Sequence, residues 1–210
     1  MHFSRRRYSV ADRLRPFGAG VERRLRPAFE AAGLPYPPGE LALLAFKDSR
    51  TLEAYARHPD EGWRFVKAYP VLAASGEPGP KLREGDRQVP EGVYRVELLN
   101  PNSRFHVSLR LGYPNDFDRR MAQADGRTEL GGDIMIHGNA VSIGCLAMGD
   151  EAAEDLFVLA ALAGKERVTV IIGPTDFRSS STEAAMQPSS LPSLYQKLRD
   201  ELRAFPSAKW

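Results

Sequence analysis

The sequence predicts a β-rich α+β domain. Three observations carry that expectation. Between residues 41 and 172, apolar runs of strand length recur, separated by clusters of Gly, Pro and charged residues. Near both ends of the chain, and again after Asp150, apolar residues return at helical spacing instead. No internal repeat is present, so the strands and helices belong to one packed unit. A chain of 210 residues with 42% hydrophobic and 27% charged residues can bury a real core without disulfide staples.

The elements follow in order. Val21, Leu25 and Phe29 share one helical face, and Gly33 followed by Pro35, Pro37 and Pro38 ends that helix, so it is expected over 21–33 with Pro27 as an interruption. Leu41–Phe46, Thr51–Ala56 and Trp63–Ala73 read as strands, and 76–86 as a Gly/Pro/charge loop. Gly92–Leu99 and Phe105–Leu111 follow as strands. The second alternates Phe105, Val107, Leu109 and Leu111 against His106, Ser108 and Arg110. The polar stretch 112–131 is expected to be a long loop or lid. Asp133–His137 reads as a strand, and Asp150 as the cap of a helix over 151–163 with Leu156, Leu159, Ala160 and Leu162 inward. Arg167–Ile172 is a further strand and 179–190 a low-complexity linker. Leu191, Leu194, Tyr195, Leu198, Leu202 and Phe205 make a last amphipathic helix over about 191–205. The organisation expected is a basic helical extension (1–38), a main domain (39–175), and a linker with a helix packed back on that domain (176–210).

Net charge is only +2, which gives no global case for binding nucleic acid. The charge is uneven. Residues 1–26 carry eight arginines against Asp12 and Glu22, a net of +6, leaving −4 for the rest. A solvated basic helix is the plain reading, and an anionic-polymer or juxtamembrane contact the sharper one. No run of about 18 apolar residues exists, so no integral membrane segment is expected. Ser4-Arg5-Arg6-Arg7-Tyr8 is no twin-arginine signal without an apolar segment behind it.

Cys145 is the only cysteine, so it forms no intrachain disulfide and no multi-thiolate metal site. A lone cysteine is in general a small buried hydrophobe. This one follows His137 by eight residues, and glycines stand beside both. A thiol needs a neighbour to take its proton, and a histidine across a short glycine-flanked loop suits that role. The Cys145 N–H, freed by Gly144 to adopt an unusual backbone, is a candidate oxyanion donor. His58 in a turn and terminal His2 complete the four histidines, and none has zinc-ligand spacing to a partner, so no metal is expected.

The segment resembles the L,D-transpeptidase catalytic-domain family, whose hallmark is a strand ending His-Gly, a loop, then Ser-x-Gly-Cys. Here these are His137-Gly138 and Ser142-Ile143-Gly144-Cys145, followed by Met148. Residues 85–94 are similar to the family's Thr-Pro-x-Gly-x-Phe element, with Val89 in the place of Thr. The runs Leu99-Asn100-Pro101-Asn102-Ser103-Arg104-Phe105-His106 and Leu111-Gly112-Tyr113-Pro114-Asn115-Asp116-Phe117-Asp118-Arg119 resemble a divergent proteobacterial murein transpeptidase and amidase branch. The resemblance covers about Leu41 to Ile172. It implies a sandwich of short strands flanked by a few helices.

It also implies a cysteine acyl transferase acting on peptidoglycan stem peptides, with no cofactor. Cys145 would attack the carbonyl of a meso-diaminopimelate residue, His137 would move the proton, and the Gly138 carbonyl would orient the imidazole. Ser142 would shape the loop. Tyr113, Asn115 and Arg119 read either as plain loop residues or as substrate contacts, in which case Arg119 and Lys81 would bind stem carboxylates and Tyr113 would pack against the peptide; His106 reads as an exposed residue of its strand, or as one lining the groove. A stem or protein amine would resolve the thioester, and the setting would be the periplasm, with an export segment upstream of Met1. Two departures stand out. The loop from His137 to Cys145 is shorter than in most members, and Ala147 replaces an Arg common two residues after the Cys. They leave open a hydrolytic amidase or L,D-carboxypeptidase with the same site. A non-catalytic wall-binding protein that keeps the fold is a further alternative, and a redox-sensing thiol a weaker one.

Overall fold

The structure, a computed structural model, describes residues 7–178 and 192–208. The expected α+β class is what folds. Nine strands form one sheet in the order β3-β2-β1-β9-β5-β6-β7-β8-β4. They are β1 (Leu41–Phe46), β2 (Thr51–His58), β3 (Gly62–Pro70), β4 (Ala73–Ala74), β5 (Gly92–Asn100), β6 (Ser108–Leu111), β7 (Met135–His137), β8 (Leu146–Ala147) and β9 (Val168–Gly173). The helices are α1 (Val10–Ala31), α2 (Asp116–Ala124), α3 (Asp150–Ala163) and α4 (Pro192–Leu202). β5 joins the two halves. Its first residues pair with β9 and its last with β6, with a register break between Val96 and Leu98. Such a bulge bends a strand and lets the sheet curl.

The core lies on both faces of the first half. β1 is buried at every position, because Leu41, Leu43 and Ala45 join the larger core under α1 and α3 while Ala42, Leu44 and Phe46 join a second core under α4. A strand covered on both faces reads as a continuous apolar run rather than an alternation, and β1 pairs in parallel with β9 in the centre of the sheet. Val21, Leu25 and Phe29 of α1 are fully buried. Burying each is worth about 1.5–3 kcal/mol.

Several boundaries differ from expectation. α1 starts eleven residues earlier than 21, at a capping box of Ser9 and Asp12, and runs through Pro16 and Pro27. Each proline removes one helical hydrogen bond, and the buried stripe outweighs the loss. The strand expected over Trp63–Ala73 is two, β3 and β4. The stretch 112–131 is no structureless lid, because Asn115 and Asp118 form a second capping box and start α2. Phe105 and His106 precede β6 rather than forming it, and His106 has φ +72°. Gly149, not Asp150, is the N-cap of α3, and Leu162 of that helix is exposed. The linker 179–190 lies outside the described residues.

Of the basic N-terminal arginines, Arg24 pairs with buried Asp155 of α3 at 2.6 Å, and Arg13 donates to the Pro101 carbonyl at 2.8 Å. α1 is thus tied to the body of the molecule through charge as well as packing. Among the described residues, no helix is long and apolar enough to cross a membrane.

Candidate active site

Two short parallel strands carry the site. His137 ends β7, where it stands opposite Ser108 of β6 on one side and Ala147 of β8 on the other. Cys145 immediately precedes β8, whose Leu146 pairs with Ile136. Side chains alternate along strands, so Met135 and His137 share one face, and the residue two before Ala147 is Cys145. The Sγ of Cys145 reaches the Asp133 carbonyl at 3.7 Å, just before β7. Cys145 and His137 therefore belong to adjacent parallel strands, two positions out of register with each other.

The loop between them is tied at both ends. The Gly138 N–H donates to the Phe105 carbonyl at 3.0 Å, the Asn139 N–H to Asp150 Oδ1 at 2.8 Å, and the Met148 N–H to the His137 carbonyl at 2.8 Å. Gly138 admits no side chain, since a Cβ there would fall 2.5 Å from Asp150 Oδ1 and 2.9 Å from the Phe105 carbonyl. Gly144 has φ +94°, which glycine adopts at no steric cost.

Nδ1 of His137 lies 2.6 Å from the Gly138 carbonyl oxygen. A carbonyl only accepts, so Nδ1 carries the proton and Nε2 is left with its lone pair. The Phe105 ring stacks on the imidazole, with centroids 4.7 Å apart and planes at 28°. Burial lowers the pKa of His137 below the ordinary histidine value, opposed by the bond to Gly138. Burial raises that of Cys145, as does Asp133, while a hydrogen bond at Met135 and the charge of Lys81 act against it. Both shifts favour the neutral forms, a thiol and an imidazole.

The Cys145 N–H donates to Ser142 Oγ at 3.0 Å, and that hydroxyl donates to the Cys145 carbonyl at 2.5 Å. The Gly144 N–H donates to Ser75 Oγ at 2.5 Å. The oxyanion donor expected at Cys145 is thus engaged by a serine in this state.

The other nominated residues lie as follows. Lys81 is buried, and its Nζ is held by Asp86 Oδ1 at 2.6 Å and the Arg83 carbonyl at 2.8 Å. Tyr113 is a core residue, edge-on to Tyr94, its hydroxyl directed at the Leu130 and Lys81 carbonyls. Asn115 caps α2 and donates through Nδ2 to the Val93 carbonyl at 2.9 Å. Arg119 lies exposed on α2 beside Asp116. His106 hydrogen-bonds Glu154 of α3 at 2.9 Å and packs on Phe17 of α1. So Tyr113 and Asn115 are taken up in packing and capping, and Lys81 is already paired. Among the described residues no group of three His, Cys, Asp or Glu is arranged to hold a metal.

Residue patterning read Phe105 as a strand residue and Asp150 as a helix cap, not as parts of the site, and it did not single out Ser75. Phe105 had a signal, since its neighbour His106 lies in the same distinctive run. Ser75, between the Gly144 N–H and the Arg87 carbonyl, and Asp150, on the Asn139 N–H, act through backbone contacts that no spacing announces.

The YkuD family, the L,D-transpeptidase catalytic domain, matches residues 47–172. Over 134 residues the chain is 39% identical to the protein named "Putative L,D-transpeptidase YafK" of Escherichia coli (strain K12); the match covers 61% of this chain and 52% of YafK. The chain thus spans about half the length of the curated relatives it matches. In structure it is similar to Pgp2, the helical cell shape determining protein of Campylobacter jejuni, with a TM-score of 0.52 at 24% identity, over 65% of this chain and 48% of that one. That likeness is one of fold. The family match runs from the end of β1 to the last strand and encloses both His137 and Cys145, and on that ground the chain belongs to the L,D-transpeptidase catalytic-domain family of peptidoglycan-acting enzymes.

Proposed function

We propose that this protein is a cysteine acyl transferase acting on peptidoglycan stem peptides outside the cytoplasm. The observation that carries the reading is the 2.6 Å contact between Nδ1 of His137 and the Gly138 carbonyl oxygen, from which the tautomer follows. With Nδ1–H bound to the Gly138 carbonyl at 2.6 Å, Nε2 is the free base, on the strand beside Cys145. A neutral thiol and a neutral imidazole suit proton transfer during attack rather than a standing thiolate.

In the reaction, Sγ of Cys145 bonds to the scissile carbonyl carbon while Nε2 of His137 takes the thiol proton. The carbonyl electrons move to oxygen, where the Cys145 N–H can serve once Ser142 Oγ yields it. Collapse breaks the C–N bond, and the imidazolium gives its proton to the departing amine. The resulting thioester is resolved by an acceptor amine, or by water, with His137 again taking a proton.

The test is incubation with a disaccharide-tetrapeptide, products read by mass. Release of D-alanine with a cross-linked dimer marks a transpeptidase, and tripeptide alone marks a hydrolase using the same residues. Cys145→Ala is expected to abolish both. A carbapenem is expected to add covalently to Cys145, more slowly in His137→Ala. Turnover surviving in Cys145→Ala overturns the reading, and intact muropeptide with measurable binding makes the protein a wall-binding one instead.

A further inference from the structure

We propose that Arg110 is a binding residue for a substrate carboxylate next to the nucleophile. Arg110 lies on β6 opposite Met135, so it shares the sheet face of Ser108 and His137. Its Nη1 is 3.6 Å from Asp133 Oδ1, and the carbonyl of that same Asp133 receives the Cys145 thiol. The guanidinium is thus one residue removed from the sulfur.

Its bonding is incomplete. Nη2 stands 3.7 Å from Glu97 Oε2, and both carboxylate contacts exceed hydrogen-bond length. Nε is buried and has no partner among the described residues. Five N–H donors in a planar fork therefore make no hydrogen bond to a described side chain. The side chain is 38% exposed, and the two carboxylates facing it are more open still, at 79% and 55%. Exposed pairs at such distances are worth little and give way easily. A ligand carboxylate could take the fork in two parallel bonds, the geometry a guanidinium fits best. Other cations near the site differ. Lys81 is fully engaged by Asp86 and the Arg83 carbonyl, and Arg119 lies on α2 beside Asp116.

The identity of the ligand rests on the acyl-transfer reading. A stem tetrapeptide carries two carboxylates near the scissile bond: that on the diaminopimelate side chain and the terminal one of D-alanine. Arg110 binds one of them. The experiment measures stem binding in Cys145→Ala, with and without Arg110→Gln, by calorimetry. Three ligands are compared: the free tetrapeptide, its side-chain amide and its C-terminal amide. Arg110→Gln is expected to weaken the free tetrapeptide about 10- to 100-fold. It should have little effect on whichever amide lacks the bound carboxylate, which identifies that group. Arg110→Lys should recover part of the loss. Alkylation of Cys145 by neutral iodoacetamide in the otherwise unaltered protein should change less than about twofold, as expected if the thiol's surroundings stay intact.

Equal weakening of all three ligands, or none, overturns the assignment. Because binding is read without catalysis, an inert wild-type enzyme sinks the acyl-transfer reading alone, while an Arg110-independent Kd sinks this one alone.

Discussion

His137 shows how one short bond sets the chemistry of a site. Solvent exclusion lowers its proton affinity, and the Gly138 carbonyl decides which nitrogen holds the remaining proton. Cys145 is displaced the opposite way by burial. On the proposed mechanism His137 is the base and must be unprotonated to act, so activity should appear as pH rises through the His137 value. Since that value is depressed, the acid limb of kcat/KM should lie below the ordinary histidine pKa of about 6.5. Alkylation of the thiol without substrate should rise only above the ordinary cysteine range. An acid limb above 6.5, or a thiol already ionised at neutral pH, would contradict a neutral resting pair.

At the scale of elements, the loop from Gly76 to Glu91 is built around charges rather than secondary structure. Asp86 accepts from Lys81 Nζ and from the backbone N–H groups of Leu82, Arg83 and Gln88. Burial acts to raise its pKa, but Lys81 and those N–H groups prevail and hold it at about 2. A carboxylate depressed on folding stabilises the native state above its unfolded pKa, and that contribution fades as pH falls through the folded value. Asp86→Asn should therefore lower the melting temperature at pH 6, and the gap from wild type should close on acidification toward pH 2. A gap that persists unchanged at pH 2 would show that the loop is held by something else. The same loop supplies Gln88, whose side chain accepts the Glu77 N–H, while Ser75 just before it takes the Gly144 N–H. Its order thus bears on the nucleophile through backbone contacts.

For the whole molecule, helices on both sides of the central strands make the core. α4 brings Leu194, Tyr195, Leu198 and Leu202 onto the face formed by Ala42, Leu44, Phe46 and Ile171. Glu91 couples this helix to the site-bordering loop, because it accepts from Tyr195 and Lys47 together. Leu198 is fully buried. Leu198→Ala should cost about 2–5 kcal/mol, seen as a fall in the urea midpoint with little change in slope. A loss under about 0.5 kcal/mol would mean that α4 contributes little to the fold.

The sequence by itself determined the class of fold and most strand positions, and it nominated Cys145 and His137 as the pair on which the proposed function rests. These depend on local periodicity, on glycine placement and on the rarity of a lone cysteine eight residues from a histidine. It reached less far where local preference and packing compete. α1 passes through two prolines because its buried face outweighs their cost, and α2 was hidden by a polar stretch whose capping residues, Asn115 and Asp118, were its only strong signal. Which cation faces Asp133 across the ladder and which ring covers the imidazole were decided by tertiary structure alone. Arg110 and Phe105 meet the site across a ladder and at a strand end, and such contacts depend on register and chain path, which residue spacing does not encode.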